Sequence, residues 1–288
     1  MSKRFKSEAR MQSYYSAYEA TMELWPCKFQ ECFIETKYGR THVIECGTEG
    51  APSLVLFHGM GASSTMWYPN IGELAKHFKV YAVDSIGDFG KSEPYGPITN
   101  KHECIDWIGE VLDRLELTQT YMAGQSMGGW LAAIFTAAFP ERCKALVLLA
   151  PVATVTKLKP AFFLRMYPAI LFRSRRWIRA LLHWCHAPNN RPHPVFEEQF
   201  IRGFQDGIFM LRAVPTVLDR EERSRLPRTL FVVGDEEVIY SPSKAVKEAE
   251  AFGFETKLIP ASSHCLTSER SMFVNGAIIS FLRRDYNE

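Results

Sequence analysis

No two of the seven cysteines stand in a CxxC pair, and their number is odd. The spacing offers no disulfide framework, and several of these thiols sit in apolar stretches where they act as small hydrophobes. A reducing compartment, the cytoplasm, is therefore the expected location. No stretch approaches the roughly 18 uninterrupted apolar residues of a transmembrane helix, so no membrane span is expected. Met1 to Arg10 is charged and no apolar h-region follows it, which argues against a secretory signal. An excess of one charge is missing too. Lys plus Arg number 34 and Asp plus Glu 32, for a net charge of +2, and a balance that small excludes the usual electrostatic footprint of a nucleic-acid protein. One local absence is sharper. Between Pro151 and Phe196 there are eight Lys or Arg and no Asp or Glu, leaving about −6 for the rest of the chain.

What is present is an ordinary globular composition, 47% hydrophobic over 288 residues. That suits one large α/β domain, or a core carrying an inserted subdomain. Residues 7–24 place Met11, Tyr14, Tyr15, Tyr18 and Met22 at roughly helical spacing and predict a helix stopped by Trp25-Pro26. A strand pair follows, 31–36 and 41–46, with its turn at Tyr38-Gly39. Short apolar strands then alternate with helices: strands at 53–57, 79–83, 120–123, 144–149, 229–233 and 255–259, helices at 66–78, 100–116, 127–139, 242–252 and 267–284. This alternation predicts an α/β fold with a mostly parallel central sheet covered by helices on both faces. Residues 152–226 break it, being helix-rich, aromatic and basic, and read as a helical cap inserted between core segments 1–151 and 227–288.

In a sheet of this kind ligands bind at the carboxyl ends of the strands, and the motifs fall there. Gly124-Gln125-Ser126-Met127-Gly128-Gly129 follows an apolar strand and opens a helix, the context of a G-x-S-x-G nucleophile elbow. Such a turn holds its serine in a strained conformation, and a Cβ at Gly124 or Gly128 would clash with it. Ser126 is the candidate nucleophile. His58-Gly59-Met60-Gly61 ends the strand at 53–57. The Met60 N–H from this loop and the Met127 N–H after the nucleophile are the candidate oxyanion donors. His264 lies past the last core strand and before the final helix. The other seven histidines sit in the oxyanion loop, the early hairpin, predicted helices or the cap, which leaves His264 as candidate general base. The acid comes from Asp235-Glu236-Glu237 after the strand end Phe231–Gly234, with Glu237 preferred and Asp235 second. Its duty is to fix the histidine tautomer and stabilise the imidazolium. Asp84 reads as a structural strand-end residue. His183, Cys185, His186 and His193 cluster in sequence, but their spacing fits no zinc pattern. Neither a metal nor a cofactor is expected.

The motifs HGMG, GQSMGG, VVGDEE and SSHC, in this order, resemble the α/β-hydrolase superfamily over residues 30–288. There the acid usually stands three residues after the Gly that ends its strand, the place of Glu237 here, although Asp is the commoner acid. Residues 64–70 (STMWYPN) and 81–88 (YAVDSIGD), with the N-terminal helix, are similar to bacterial carboxylesterases of the naproxen-esterase type. The loop from Asp84 to Ser92 departs from the superfamily form, which has one residue fewer before its Ser. The resemblance implies a serine carboxylesterase working on a small to medium hydrophobic ester through an acyl-enzyme. Ser at position 126 argues against the dehalogenases and epoxide hydrolases of the superfamily, which use Asp. A cap whose first 45 residues lack acids argues against its iminopeptidases. Cofactor-free perhydrolase (haloperoxidase-like) activity, C–C bond hydrolysis and a non-catalytic small-molecule receptor remain as alternatives. The expected partner is the small-molecule ester, without nucleic acid. The oligomeric state is open, a homodimer included.

Overall fold

The computed structural model describes residues 4–286. Nine strands form one sheet: β1 (Phe29–Thr36), β2 (Gly39–Gly47), β3 (Ser53–Phe57), β4 (Lys79–Val83), β5 (Glu93–Pro94), β6 (Thr120–Gln125), β7 (Cys143–Leu149), β8 (Thr229–Gly234) and β9 (Glu255–Ile259). Their spatial order is β1-β2-β4-β3-β6-β7-β8-β9, with β5 paired to β2. The β1–β2 hairpin enters antiparallel to β4, and from β4 through β9 every pairing is parallel. Parallel strands need covering on both faces and so read as continuous apolar runs. Accordingly β6 and β8 are buried at every position.

The helices are α1 (Glu8–Met22), α2 (Ile71–Leu74), α3 (Lys101–Arg114), α4 (Met127–Ala138), α5 (Pro160–Phe172), α6 (Arg175–Trp184), α7 (Pro194–Asp206), α8 (Arg220–Ser224), α9 (Pro242–Ala251), α10 (Leu266–Glu269) and α11 (Ser271–Leu282). Side-chain caps satisfy orphan N–H groups at their starts. Ser7 accepts from Arg10 N, Asn100 from Glu103 N, Ser174 from Trp177 N and Ser241 from Lys244 N. Helix α4 is apolar nearly all round and buried over eleven positions, from Met127 to Ala137, so it is a core helix rather than a surface one.

Two expected helices are broken. Residues 66–78 do not form one helix: Ser64–Trp67 makes a 3-10 turn and α2 is a single short turn. Pro69 has no N–H to give the ladder, and the Asn70 side chain donates instead to Thr267 O (3.1 Å) and Asn275 Oδ1 (2.8 Å). The stretch 267–284 divides at Arg270, whose φ of −137° and ψ of 47° lie outside the helical region. The hairpin turn falls on Lys37-Tyr38, one residue before its expected place.

Helices α5 to α8 all lie between β7 and β8, over the carboxyl ends of the strands. The N-terminal helix α1 reaches this insertion. Gln199 of α7 donates to Tyr14 Oη at 3.4 Å and to Ser63 Oγ at 2.8 Å, and Arg10 pairs with Asp206.

Candidate active site

The turn from β6 into α4 places Ser126 at φ 55°, ψ −117°. A non-glycine residue there is strained by about 1–3 kcal/mol and persists only because its surroundings over-determine it. They do. A Cβ at Gly124 would stand 2.2 Å from Gly128 O, and one at Gly128 would stand 2.1 Å from Phe57 O. Only glycines let β6, α4 and the end of β3 meet this closely.

Ser126 Oγ lies 2.8 Å from His264 Nε2, and His264 Nδ1 lies 2.9 Å from Glu237 Oε2. The Glu237 carboxylate is buried, and its second oxygen accepts the Ile239 N–H at 2.8 Å. A carboxylate only accepts, so Nδ1 carries the proton and Nε2 accepts from the serine hydroxyl. Asp235 is exposed, and its Oδ1 accepts the Ser262 N–H at 3.4 Å. The structure brings Ser126, His264 and Glu237 together and leaves Asp235 outside.

The loop His58–Gly61 runs beside the elbow, where a Cβ on Gly59 would lie 3.5 Å from Ser126 Cβ. Its N–H groups are allocated unequally. Gly59 N donates to Met66 Sδ (3.4 Å) and Gly61 N to the Asp88 carboxylate (3.1 Å). Met60 N–H between them has no acceptor among the described residues. The Met127 N–H is the first of α4, an orphan donor at the positive end of the helix. His58 stiffens the loop: its Nε2 accepts from Ser85 N at 2.9 Å while its Nδ1 donates to Gly59 O at 2.8 Å.

Spacing alone pointed to neither Asp88 nor Gln125. Gln125 donates through Nε2 to His264 O (2.8 Å) and accepts from Thr267 Oγ1 (2.7 Å), which fixes the loop that carries the histidine. Asp88 is buried and holds the oxyanion loop through Gly61. Burial pushes its carboxyl up to about 6 from the ordinary 3.8. The folded state thus binds this proton more tightly than the unfolded chain does. Its contribution to stability is complete below about pH 4 and is lost as pH rises through about 6. At about 1.4 kcal/mol per tenfold change in proton affinity, the loss is on the order of 3 kcal/mol. Asp88→Asn stays neutral and is expected to flatten the unfolding free energy between about pH 4 and 7. Urea denaturation across that range checks this, and an unchanged slope in the variant would count against it.

Asp84 is structural in its contacts. Its carboxylate accepts from Ser64 N (2.7 Å), Lys91 N (2.7 Å) and Tyr18 Oη (3.1 Å) and faces His42 Nδ1 at 3.0 Å. Burial opposes its charge, but the His42 imidazole outweighs that and holds the carboxyl well below the usual range.

A cavity of about 800 Å³, mouth included, opens over Ser126. The insertion supplies much of its apolar wall through Phe162, Leu181, Leu182, Phe196, Phe200 and Phe204, and the core adds Met60, Met66, Tyr68 and Ile239. No carboxylate is among the lining residues. Of the four residues considered as zinc ligands from sequence, His183 pairs with Glu197 at 2.5 Å and His193 caps α7. His186 instead meets Cys265 and Glu269, with donor atoms within 4.8 Å of one another. Among the described residues this is the group whose donors could hold a metal. Burial lowers the His186 imidazole to about 4 and raises the Cys265 thiol and the Glu269 carboxyl.

Residues 52–241 match the family model described as the alpha/beta hydrolase fold. The chain belongs to the α/β-hydrolase fold family. This hydrolase is 34% identical over 281 residues to the uncharacterized carboxylesterase nap of Bacillus subtilis (strain 168), across 94% of this chain and 93% of that protein. It is 31% identical to carboxylesterase YbfK of the same organism, across 93% of each chain. The crystal structure of naproxen esterase (carboxylesterase NP) from Bacillus subtilis superposes with a TM-score of 0.90 and 32% identity, covering 96% of this chain and 99% of that one. The kinship with naproxen-esterase-type carboxylesterases and the fold class expected from the motifs are both met, and the protein is an ester hydrolase of this class. No helix among the described residues is long and apolar enough to cross a membrane.

Proposed function

We propose that Ser126, His264 and Glu237 form a catalytic triad that hydrolyses small to medium hydrophobic carboxylic esters through an acyl-enzyme. The observation that carries the proposal is the continuous relay from Ser126 Oγ to His264 Nε2 (2.8 Å) and from His264 Nδ1 to the Glu237 carboxylate (2.9 Å). As Ser126 attacks the carbonyl carbon, His264 takes its proton and Glu237 stabilises the imidazolium. The Met60 and Met127 N–H groups receive the developing oxyanion, each worth typically 10²–10³ in rate. His264 then returns the proton to the leaving alcohol. Water, deprotonated by the same imidazole, releases the acid and restores the serine.

Residues 152–226 act as the cap of a core made of 1–151 and 227–288, and Phe162 of α5, Leu181 and Leu182 of α6 and Phe196, Phe200 and Phe204 of α7 form the acyl pocket. Its apolar lining without carboxylates supports a neutral ester over a substrate with an amine to be held. Seven free cysteines support residence in a reducing compartment.

A fluorophosphonate probe with intact-mass detection tests the chemistry. One adduct on Ser126 is expected, and an intact protein that never gains that mass would return the chain to the receptor reading. A p-nitrophenyl ester series tests the pocket. We expect kcat/KM to rise with acyl length until the cavity is filled and then to fall, and a flat series would remove the proposed acyl pocket.

A further inference from the structure

Helix α5 has a composition that a surface helix rarely shows. Of its residues from Pro160 to Phe172 only Arg165 is charged. One face turns inward, where Phe162 and Ala169 are buried. The outer face is just as apolar: Leu164 is 73% exposed, Tyr167 60%, Leu171 76% and Phe172 62%. Phe163 and, at the start of α6, Trp177 extend the patch. Phe163 stacks on Tyr167 with centroids 6.2 Å apart, and Phe172 lies 6.3 Å from Trp177. A lone exposed apolar residue needs no explanation, but a contiguous group of large ones marks an interaction surface. A helix apolar all round belongs in a core or at a membrane.

The rim is cationic. Lys157 and Lys159 precede α5, and Arg173 and Arg176 mark its junction with α6. Among the described residues no carboxylate pairs with these four. The two neighbouring acids, Glu197 and Glu198 of α7, are taken up by Arg179 and Arg175.

We propose that the outer face of α5 and the start of α6 dock on an anionic phospholipid bilayer, with the cavity drawing its ester from that surface. The second clause rests on the ester-hydrolase reading; the docking itself does not. Aromatic and leucine side chains rimmed by Lys and Arg suit the interface between headgroups and acyl chains. A 13-residue helix is about 20 Å long at 1.5 Å per residue, short of the roughly 30 Å hydrocarbon core. It therefore lies on the bilayer rather than across it. A second copy fits the patch less well, because a two-fold contact would set Lys157, Lys159, Arg173 and Arg176, none of them neutralised by a carboxylate among the described residues, against like charges. Phe162, on the opposite face of the same helix, lines the cavity over Ser126. A lid whose outside meets lipid and whose inside meets the acyl chain gives an ester dissolved in the membrane a short route to the serine.

The test is flotation of the full chain with vesicles of phosphatidylcholine alone and of phosphatidylcholine with one third phosphatidylglycerol. We expect at least tenfold more protein on the anionic vesicles, falling as salt is raised. The triple substitution Leu164→Ser, Leu171→Ser, Phe172→Ser is expected to lower binding more than tenfold. Lys157→Ala, Lys159→Ala and Arg176→Ala together are expected to lower it about fivefold per residue. Turnover of a short water-soluble ester should be unchanged in both variants, which shows that they fold. No preference for anionic vesicles, or equal binding by a folded apolar triple variant, would overturn the proposal. So would a lipid-free dimer in sedimentation velocity that the apolar substitutions dissociate, since the face would then be a self-contact. Ser126→Ala should float like the wild type. A wild-type protein that floats but hydrolyses no ester would sink the ester-hydrolase reading and leave the docking standing.

Discussion

Ser126→Ala should lower kcat by about 10⁴–10⁶ while leaving the fold and the cavity intact. The side chain removed is one hydroxyl, and the strained backbone of the elbow is held by its glycine neighbours rather than by Oγ. Alanine at φ 55° keeps the same strain, so stability should change little. The residual rate would come from the oxyanion donors and from substrate positioning alone. Steady-state kinetics on a p-nitrophenyl ester, with a thermal melt as control, measures both. A loss below about tenfold in a folded variant would mean that another group is the nucleophile.

Glu237→Gln should cost about 10⁴ in kcat, the scale seen when the acid of such a triad loses its charge. The wild-type carboxylate accepts the Nδ1 proton of His264 at 2.9 Å and a backbone N–H from Ile239 at 2.8 Å. The amide of glutamine has one oxygen for these two donors. If that oxygen stays on Ile239, the NH₂ faces Nδ1 and drives the imidazole proton to Nε2. The histidine then has no lone pair for the Ser126 hydroxyl. Asp235→Asn is the matched control, because an amide oxygen accepts from Ser262 N as well as a carboxylate does. Its kcat should stay within about twofold of wild type. A larger loss in Asp235→Asn than in Glu237→Gln would exchange the two assignments.

The two acids show where local reading runs out. Asp235 and Glu237 are two residues apart after the same strand, and each stands between Ser126 and His264 in chain order. What separates them is the path of the backbone after Gly234, which buries the Glu237 carboxylate and turns Asp235 to solvent. The same holds for Gln125, whose neighbours in space are His264 and Thr267, and for Asp88, whose service to Gly61 requires two loops after different strands to meet. Pro69 is a counter-example, since it was visible as a helix breaker from its chemistry, yet the apolar pattern around it favoured an unbroken helix. The cluster of His186, Cys265 and Glu269 was invisible to spacing because His186 lies about 80 residues from the other two along the chain.

By itself the amino-acid sequence determined the strand–helix alternation, the family, the elbow serine and the last-loop histidine. Each of these is written in a short stretch: apolar runs of strand length, glycines where no Cβ fits, a histidine between a strand and a helix. The tertiary structure alone decided which carboxylate meets that histidine, which loop N–H is left without a partner, and which side of α5 faces the cavity and which the solvent. Those outcomes depend on contacts between residues distant in sequence, and packing, rather than local propensity, sets the distance and burial that turn a side chain into a partner.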